Sequence, residues 1–224
     1  MVSNKPSVIL NFKTYIESSG DKALSLAKDM EKVYNETGIP MIAVPQAIDI
    51  YNIKNETNIP VFSQHIDAIS PGGNTGSNLL EAFIYNGISG TLLNHSEKRM
   101  KIADINELIQ KLKEENITSC VCSNNVSTSK AIASLNPDYV AVEPPELIGT
   151  GIPVSQAEPK VVTGTVEEVK DINKNIKVLC GAGISNGDDM RAAIDLGAEG
   201  VLLASGIIKA ENPYNALMDL VSKI

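Results

Sequence analysis

A chain of 224 residues, 43% hydrophobic and 21% charged, has the composition of a folded soluble protein and enough length to bury one sizeable core. Its net charge of -8 disfavours nucleic-acid partners, and its lysines are scattered along helix-like stretches instead of forming a basic tract. No apolar run is long enough to cross a bilayer and the first residues do not read as a secretory signal, so a single domain over residues 1–224 in the cytoplasm is expected.

In chain order, short Val- and Ile-rich runs bounded by turn residues predict strands at residues 8–10, 41–44, 60–62, 90–93, 117–122, 138–142, 176–180 and 200–204. Helical spacing of apolar residues lies between them, at residues 22–34, 78–85, 104–112, 166–172, 188–196 and 214–221. With no strong hairpin signal between the strands, parallel pairing through crossovers is expected. Eight strand–helix units point to an α/β fold, a single (β/α)8 TIM barrel, with function at the carboxyl ends of the strands. An open doubly wound sheet usually shows a glycine-rich turn after its first strand, whereas Asn11-Phe12-Lys13-Thr14-Tyr15 holds no glycine.

The strand ends carry the candidate chemistry. The first delivers Asn11 and Lys13, which project the same way if the extended conformation persists. The fourth delivers His95, followed by Ser96-Glu97-Lys98-Arg99-Met100, expected to open a helix with Ser96 as its cap. The sixth delivers Glu143, where a general base belongs. After it, Pro144-Pro145-Glu146-Leu147-Ile148-Gly149-Thr150-Gly151 has restrictive prolines and then permissive glycines, the composition of a lid. The seventh and eighth deliver Gly181-Ala182-Gly183 and Ala204-Ser205-Gly206, small-residue turns whose N–H groups suit a phosphate.

Other residues have plainer readings. Cys120, Cys122 and Cys180 lack a paired metal spacing and are expected to be reduced core residues, the first two on opposite faces of one strand. Cys122 is expected to be a packed thiol, and His65 a hydrogen-bonded structural residue. Glu97 is expected to pair with Lys13 or to anchor Arg99, a structural role.

Asn11-x-Lys13, Asn94-His95-Ser96-Glu97-Lys98-Arg99 and Glu143-Pro144 through Ile148-Gly149-Thr150-Gly151 together resemble the signatures of the triosephosphate isomerase family, in the family's order and across nearly the whole chain; the short length and the lid sequence are similar to its archaeal branch. The resemblance implies that dihydroxyacetone phosphate and D-glyceraldehyde 3-phosphate are interconverted through an enediolate, in glycolysis and gluconeogenesis, with no cofactor and no metal. It implies Glu143 as base, a neutral His95 polarising the carbonyl, Lys13 supplying positive charge and Asn11 orienting that lysine; the pairing of a glutamate base with a neutral histidine is that family's standard example of pKa tuning. The dianion is implied to bind near Asn11, Phe12 and Lys13 and on main-chain donors around Ile148, Gly149, Gly183, Ala204 and Ser205. A homo-oligomer is implied, a tetramer built from dimers, with Thr75 in the Gly72-Gly73-Asn74-Thr75-Gly76 loop a candidate contact supporting Asn11 and Lys13 of a neighbour.

Two departures stand out. The family commonly has Trp where Glu146 stands, and this chain has no Trp. Its common Tyr-Gly-Gly-Ser after the seventh strand is here Cys180-Gly181-Ala182-Gly183, which lacks the serine hydroxyl. Two other classes stay open at this level: another phosphate-binding barrel enzyme such as an epimerase, though two histidines poorly supply a metal set, and a non-catalytic sugar-phosphate sensor.

Overall fold

The computed structural model describes residues 5–144 and 154–224. Its strands are β1 (Ser7–Asn11), β2 (Met41–Val44), β3 (Phe62–Ser63), β4 (Gly90–Leu93), β5 (Thr118–Ser123), β6 (Tyr139–Val142), β7 (Lys177–Cys180) and β8 (Gly200–Leu203). They pair in the order β2-β1-β8-β7-β6-β5-β4-β3, each pair parallel. The ring is completed between β2 and β3, where Ala43 bridges Val61 and donates its N–H to Pro60 O at 3.0 Å. The expected barrel is therefore present, and every carboxyl-terminal strand end opens on one rim.

Successive side chains on a strand point to opposite faces. Ile9, Phe62, Leu92, Cys120, Cys122, Ala141, Leu179 and Leu202 form one buried cluster inside the barrel. Val8, Leu10, Val121, Val140, Val178 and Val201 alternate with them and pack outward against helices. Cys120 and Cys122 thus share the interior face. The expectation that they lie on opposite faces is wrong, because residues two apart on a strand point the same way. All three cysteines are buried and unpaired, and burial pushes each thiol pKa up.

The crossovers are α1 (Asp21–Thr37), α2 (Ile50–Glu56), α3 (Leu80–Tyr85), α4 (Ile102–Glu114), α5 (Val126–Ala133), α6 (Val154–Ala157), α7 (Pro159–Ile172), α8 (Gly187–Asp195), α9 (Ser205–Ile208) and α10 (Pro213–Val221). In α1 the buried Ala23, Leu26, Ala27, Met30 and Val33 recur at three and four residues, and Gly38 closes the helix at φ 67 with its N–H on Tyr34 O. The helices α2 and α5 and the first half of α7 had no clear helical stripe in the sequence. α5 is rich in Ser and Thr, and its buried face is mixed: Ile132 and Ala133 join the core, while Ser129 Oγ lies 2.7 Å from Ser123 Oγ and 3.4 Å from Thr165 Oγ1. Its start is capped by Asn125 Oδ1, which accepts Thr128 N–H at 2.9 Å.

Gly90 opens β4 directly over the Phe62 ring, and a Cβ there would sit 2.4 Å from Phe62 Cε1. Gly90→Ala is therefore expected to destabilise the fold by roughly 1–3 kcal/mol, the usual cost of overpacking, and Phe62→Leu in the same chain to recover much of it. Urea midpoints of the two variants check this.

Candidate active site

Asn11 ends β1 and is buried. The chain does not stay extended beyond it: Lys13 has φ 49, in the left-handed region, so the expectation that Asn11 and Lys13 project alike from an extended strand is replaced by a turn. Asn11 Oδ1 accepts the Lys13 N–H at 3.0 Å, and Gln64 Nε2 donates to Lys13 O at 2.9 Å and to Val44 O at 3.2 Å. Both sides of the strained residue are thereby pinned, and its ammonium reaches Glu97 Oε1 at 2.8 Å. Phe12 lies between them with its ring in the core, its N–H on Val44 O and its C=O accepting from Ser18 Oγ. Phe12 therefore turns no polar group toward the rim.

After β4, Asn94 also has a left-handed backbone, φ 58. Its amide donates to Cys122 O at 2.9 Å, its Oδ1 accepts Met100 N–H at 3.0 Å, and its C=O accepts from Arg99 Nη1 at 2.9 Å. These side-chain bonds take up the groups a helix needs, so Ser96 to Met100 forms a turn and α4 begins only at Ile102. The expected helix capped by Ser96 is absent. The turn instead aims the Glu97 N–H at His95 Nδ1, 3.2 Å away. That nitrogen is the acceptor, which leaves the ring proton on Nε2. The 3.6 Å between Nδ1 and Glu97 Oε2 is too long to compete. Burial, with Lys13 nearby, lowers the His95 pKa to about 4, so the ring is neutral.

Glu143 follows β6 and extends its ladder, donating N–H to Ser123 O at 2.8 Å. Its carboxyl is buried with Oε2 unpartnered, and its Oε1 lies 3.6 Å from His95 Nε2. Burial raises its pKa to about 7, against the lowering effect of the Cys122 thiol, Lys13 and Arg99. Gly181, at the end of β7, makes room for it: a Cβ there would meet Glu143 Cγ at 2.4 Å.

Asn11, Lys13, His95 and Glu143 line one cavity of about 100 Å³ together with Gly183, Ala204 and Ser205. The residues from five different strand ends are thus on one rim. Gly183 has φ 73, a left-handed backbone that favours glycine. Ile148, Gly149 and Glu146 lie outside the described residues. Among the described residues no group of three or more His, Cys, Asp or Glu is placed to hold a metal ion, and no helix is long and apolar enough to cross a membrane.

A carbonyl compound held between a dry carboxylate near neutrality and an imidazole N–H can lose a proton from one carbon and regain it on the next. The same chemistry marks the chain's relatives. The family model for triosephosphate isomerase matches residues 6–224. The chain belongs to the triosephosphate isomerase family. It is 66% identical to the triosephosphate isomerase of Methanobrevibacter smithii over 221 residues, covering 99% of this chain and 100% of the relative. It is 58% identical to that of Methanothermobacter thermautotrophicus (100% and 97% covered) and 57% to that of Methanocaldococcus jannaschii (97% and 99%). The archaeal resemblance read from the lid and strand-end motifs is borne out, and the chain is an isomerase on an α/β barrel.

Within this family site, sequence reasoning missed Gln64, Tyr15 and Ser185. Gln64 had a signal, a polar amide directly after a strand, but its target is backbone and carries no sequence mark. Ser185 lines the cavity two residues beyond Gly183, yet it does not replace the missing serine donor: its Oγ–H goes to Asp189 Oδ2 at 3.0 Å. His65 is the structural residue expected, with Nε2 3.0 Å from Asp67 Oδ1, and Glu97 does pair with Lys13.

A carboxyl whose pKa is raised on folding makes the folded state favour the acid form. Ionising it costs stability from its ordinary value of 4.5 upward, and the cost is complete above about 7. Glu143→Gln removes that cost. The variant is expected to be more stable than the native chain by a few kcal/mol at pH 8, with the gap closing towards pH 4.5, as read from thermal unfolding across pH.

Proposed function

We propose that this chain, as one catalytic domain over residues 1–224, interconverts dihydroxyacetone phosphate and D-glyceraldehyde 3-phosphate in the cytoplasm, serving glycolysis and gluconeogenesis. The observation that carries the reading is the 3.6 Å approach of His95 Nε2 to Glu143 Oε1 in a cavity that also receives Lys13. Glu143 takes a proton from the carbon beside the carbonyl and returns it to the neighbouring carbon. A base with a pKa near 7 suits this, since it is substantially ionised at neutral pH and still basic enough to accept the proton. As the enediolate forms, charge builds on the carbonyl oxygen, and the neutral His95 donates its Nε2–H to it. Lys13 adds positive charge to the same oxygen, and Asn11 holds the turn that presents it.

The phosphate dianion rests on N–H groups of Gly183, Ala204 and Ser205, with Ile148 and Gly149 from the following loop. Backbone donors suit it because they hold a dianion without ordering a long side chain. Glu143→Asp is expected to keep substrate affinity and to lower kcat roughly 10²-fold, because the carboxyl retreats by about 1 Å. A coupled assay with glyceraldehyde 3-phosphate tests it, and near-native turnover overturns the assignment of the base.

We further infer a homo-oligomer, a tetramer built from dimers in which Thr75 enters a neighbour near Asn11 and Lys13. A second cavity of about 540 Å³ beside the first supports this, lined by Lys13, Gln46, Gln64, His95 and Glu97; Ile16 and Ile48, next in sequence to its lining residues Tyr15 and Ala47, are 73% and 86% exposed on short 3-10 helices. The Thr75 loop is tied at its base, where Asp67 donates its N–H to Asn78 O at 3.0 Å and its Oδ2 accepts Asn78 N–H at 2.7 Å. A braced projection keeps its shape on insertion. Thr75→Arg is expected to shift the chain to smaller species in sedimentation and to lower activity in step with the dissociated fraction.

A further inference from the structure

The first cavity has one cation among its described lining residues, Lys13, and that ammonium is already paired with Glu97. A dianion in a chain of net charge -8 needs more than this from its surroundings. A cation with no role so far is Lys209, which caps the C-terminal end of α9, one turn beyond the cavity-lining Ser205 and Gly206. Its side chain lies across the Tyr15 ring, Nζ 4.7 Å from the centroid, inside the range for a cation–π contact.

Tyr15 lines both cavities, together with Asn11, Lys13 and His95. Its backbone is fixed: its C=O accepts from Ser18 N–H at 3.1 Å and from Ser19 Oγ at 2.8 Å, and Ser18 Oγ in turn donates to Phe12 O at 2.7 Å. The ring therefore projects from a braced turn that also carries Lys13. On the other side, Ile207 and Ile208 bury α9 in the core and fix the Ser205 end against the cavity. The Lys209–Tyr15 contact joins these two parts of the rim, one bearing Lys13 and the other bearing the phosphate donors.

We propose that Lys209 is a positioning residue for phosphate binding, acting through the Tyr15 ring to hold the turn after β1 against the start of α9. The inference rests on the phosphate assignment made above, and Lys209 itself touches neither the substrate nor the reacting atoms. A lysine that merely neutralises the carbonyl end of α9 acts without the ring, and the two roles separate in a double-mutant cycle.

Lys209→Met, Tyr15→Leu, the double variant and Lys209→Arg are compared by KM and kcat for glyceraldehyde 3-phosphate and by calorimetric binding of 2-phosphoglycolate. Each single change is expected to raise KM and weaken 2-phosphoglycolate by about threefold, the size of one exposed cation–π contact, with kcat within about twofold. The double variant is expected to be no worse than the weaker single, and Lys209→Arg to restore native values, since guanidinium also stacks on the ring. Unchanged KM in Lys209→Met overturns the proposal. So do single effects that multiply in the double variant, and so does a rise in KM that appears only with dissociation in sedimentation. If the native chain binds 2-phosphoglycolate but turns over no triose phosphate, the catalytic reading fails while the binding cycle still decides the role of Lys209.

Discussion

The site is organised around the cost of burying one carboxyl. Glu143 is withdrawn from water at the end of β6, with Oε2 unpartnered and the imidazole of His95 close to Oε1. An isolated buried carboxylate is expensive, and its raised pKa is the measure of that expense. The barrel sustains it because the carboxyl is enclosed by rigid parts: the β5 and β6 ladder below, Gly181 without a side chain on one flank, and the Asn94–Met100 turn on the other. The same dryness that destabilises the ion makes it a stronger base toward a carbon acid, so stability and the proposed chemistry draw on one feature in opposite directions.

His95 is set by the complementary choice. Its Nδ1 is tied to a backbone N–H, not to a carboxylate, and the Glu97 charge that would favour a second ring proton is outweighed. Burial and Lys13 then hold the ring neutral, and a neutral imidazole facing a developing oxyanion donates its proton without first having to lose one to the carboxyl beside it. Left-handed backbone at Lys13 and at Asn94 brings both groups into place. Residues other than glycine pay conformational strain there, and it persists because Asn11, Gln64, Cys122 O and Met100 N–H hold the backbone from both sides.

The acidic surface bears on how a dianion is held. With so few cations at the rim, the proposed binding leans on oriented N–H groups at the ends of β7 and β8, where small residues let the backbone come close. The loss of a serine donor at Gly183 is not made good by Ser185, whose proton is committed to Asp189.

Much of this was legible in the sequence. The β1, β2, β4 and β8 runs, the stripes of α1, α4, α8 and α10, and the strand-end positions of Asn11, His95 and Glu143 all follow from local periodicity, because burying one face imposes a repeat that a single strand or helix carries within itself. The helices α2 and α5 did not show; in α5 the buried Ser129, bonded to Ser123 of β5, interrupts the apolar stripe that Ile132 and Ala133 continue. The left-handed turn at Lys13, the displaced start of α4, the tautomer of His95 and the neutrality-poised Glu143 did not show either. The Lys13 turn leans on Gln64 and the Asn94 turn on Cys122, both far along the chain; the His95 tautomer follows from the Glu97 N–H that the second turn presents, and the Glu143 pKa from the loss of water, and neither long-range hydrogen bonding nor local dielectric is written in the order of the residues. What the sequence determined by itself was the alternation of elements and which groups stand at strand ends. Only the closed barrel decided how near those groups come and which of them carries a proton, because both depend on distances across the ring.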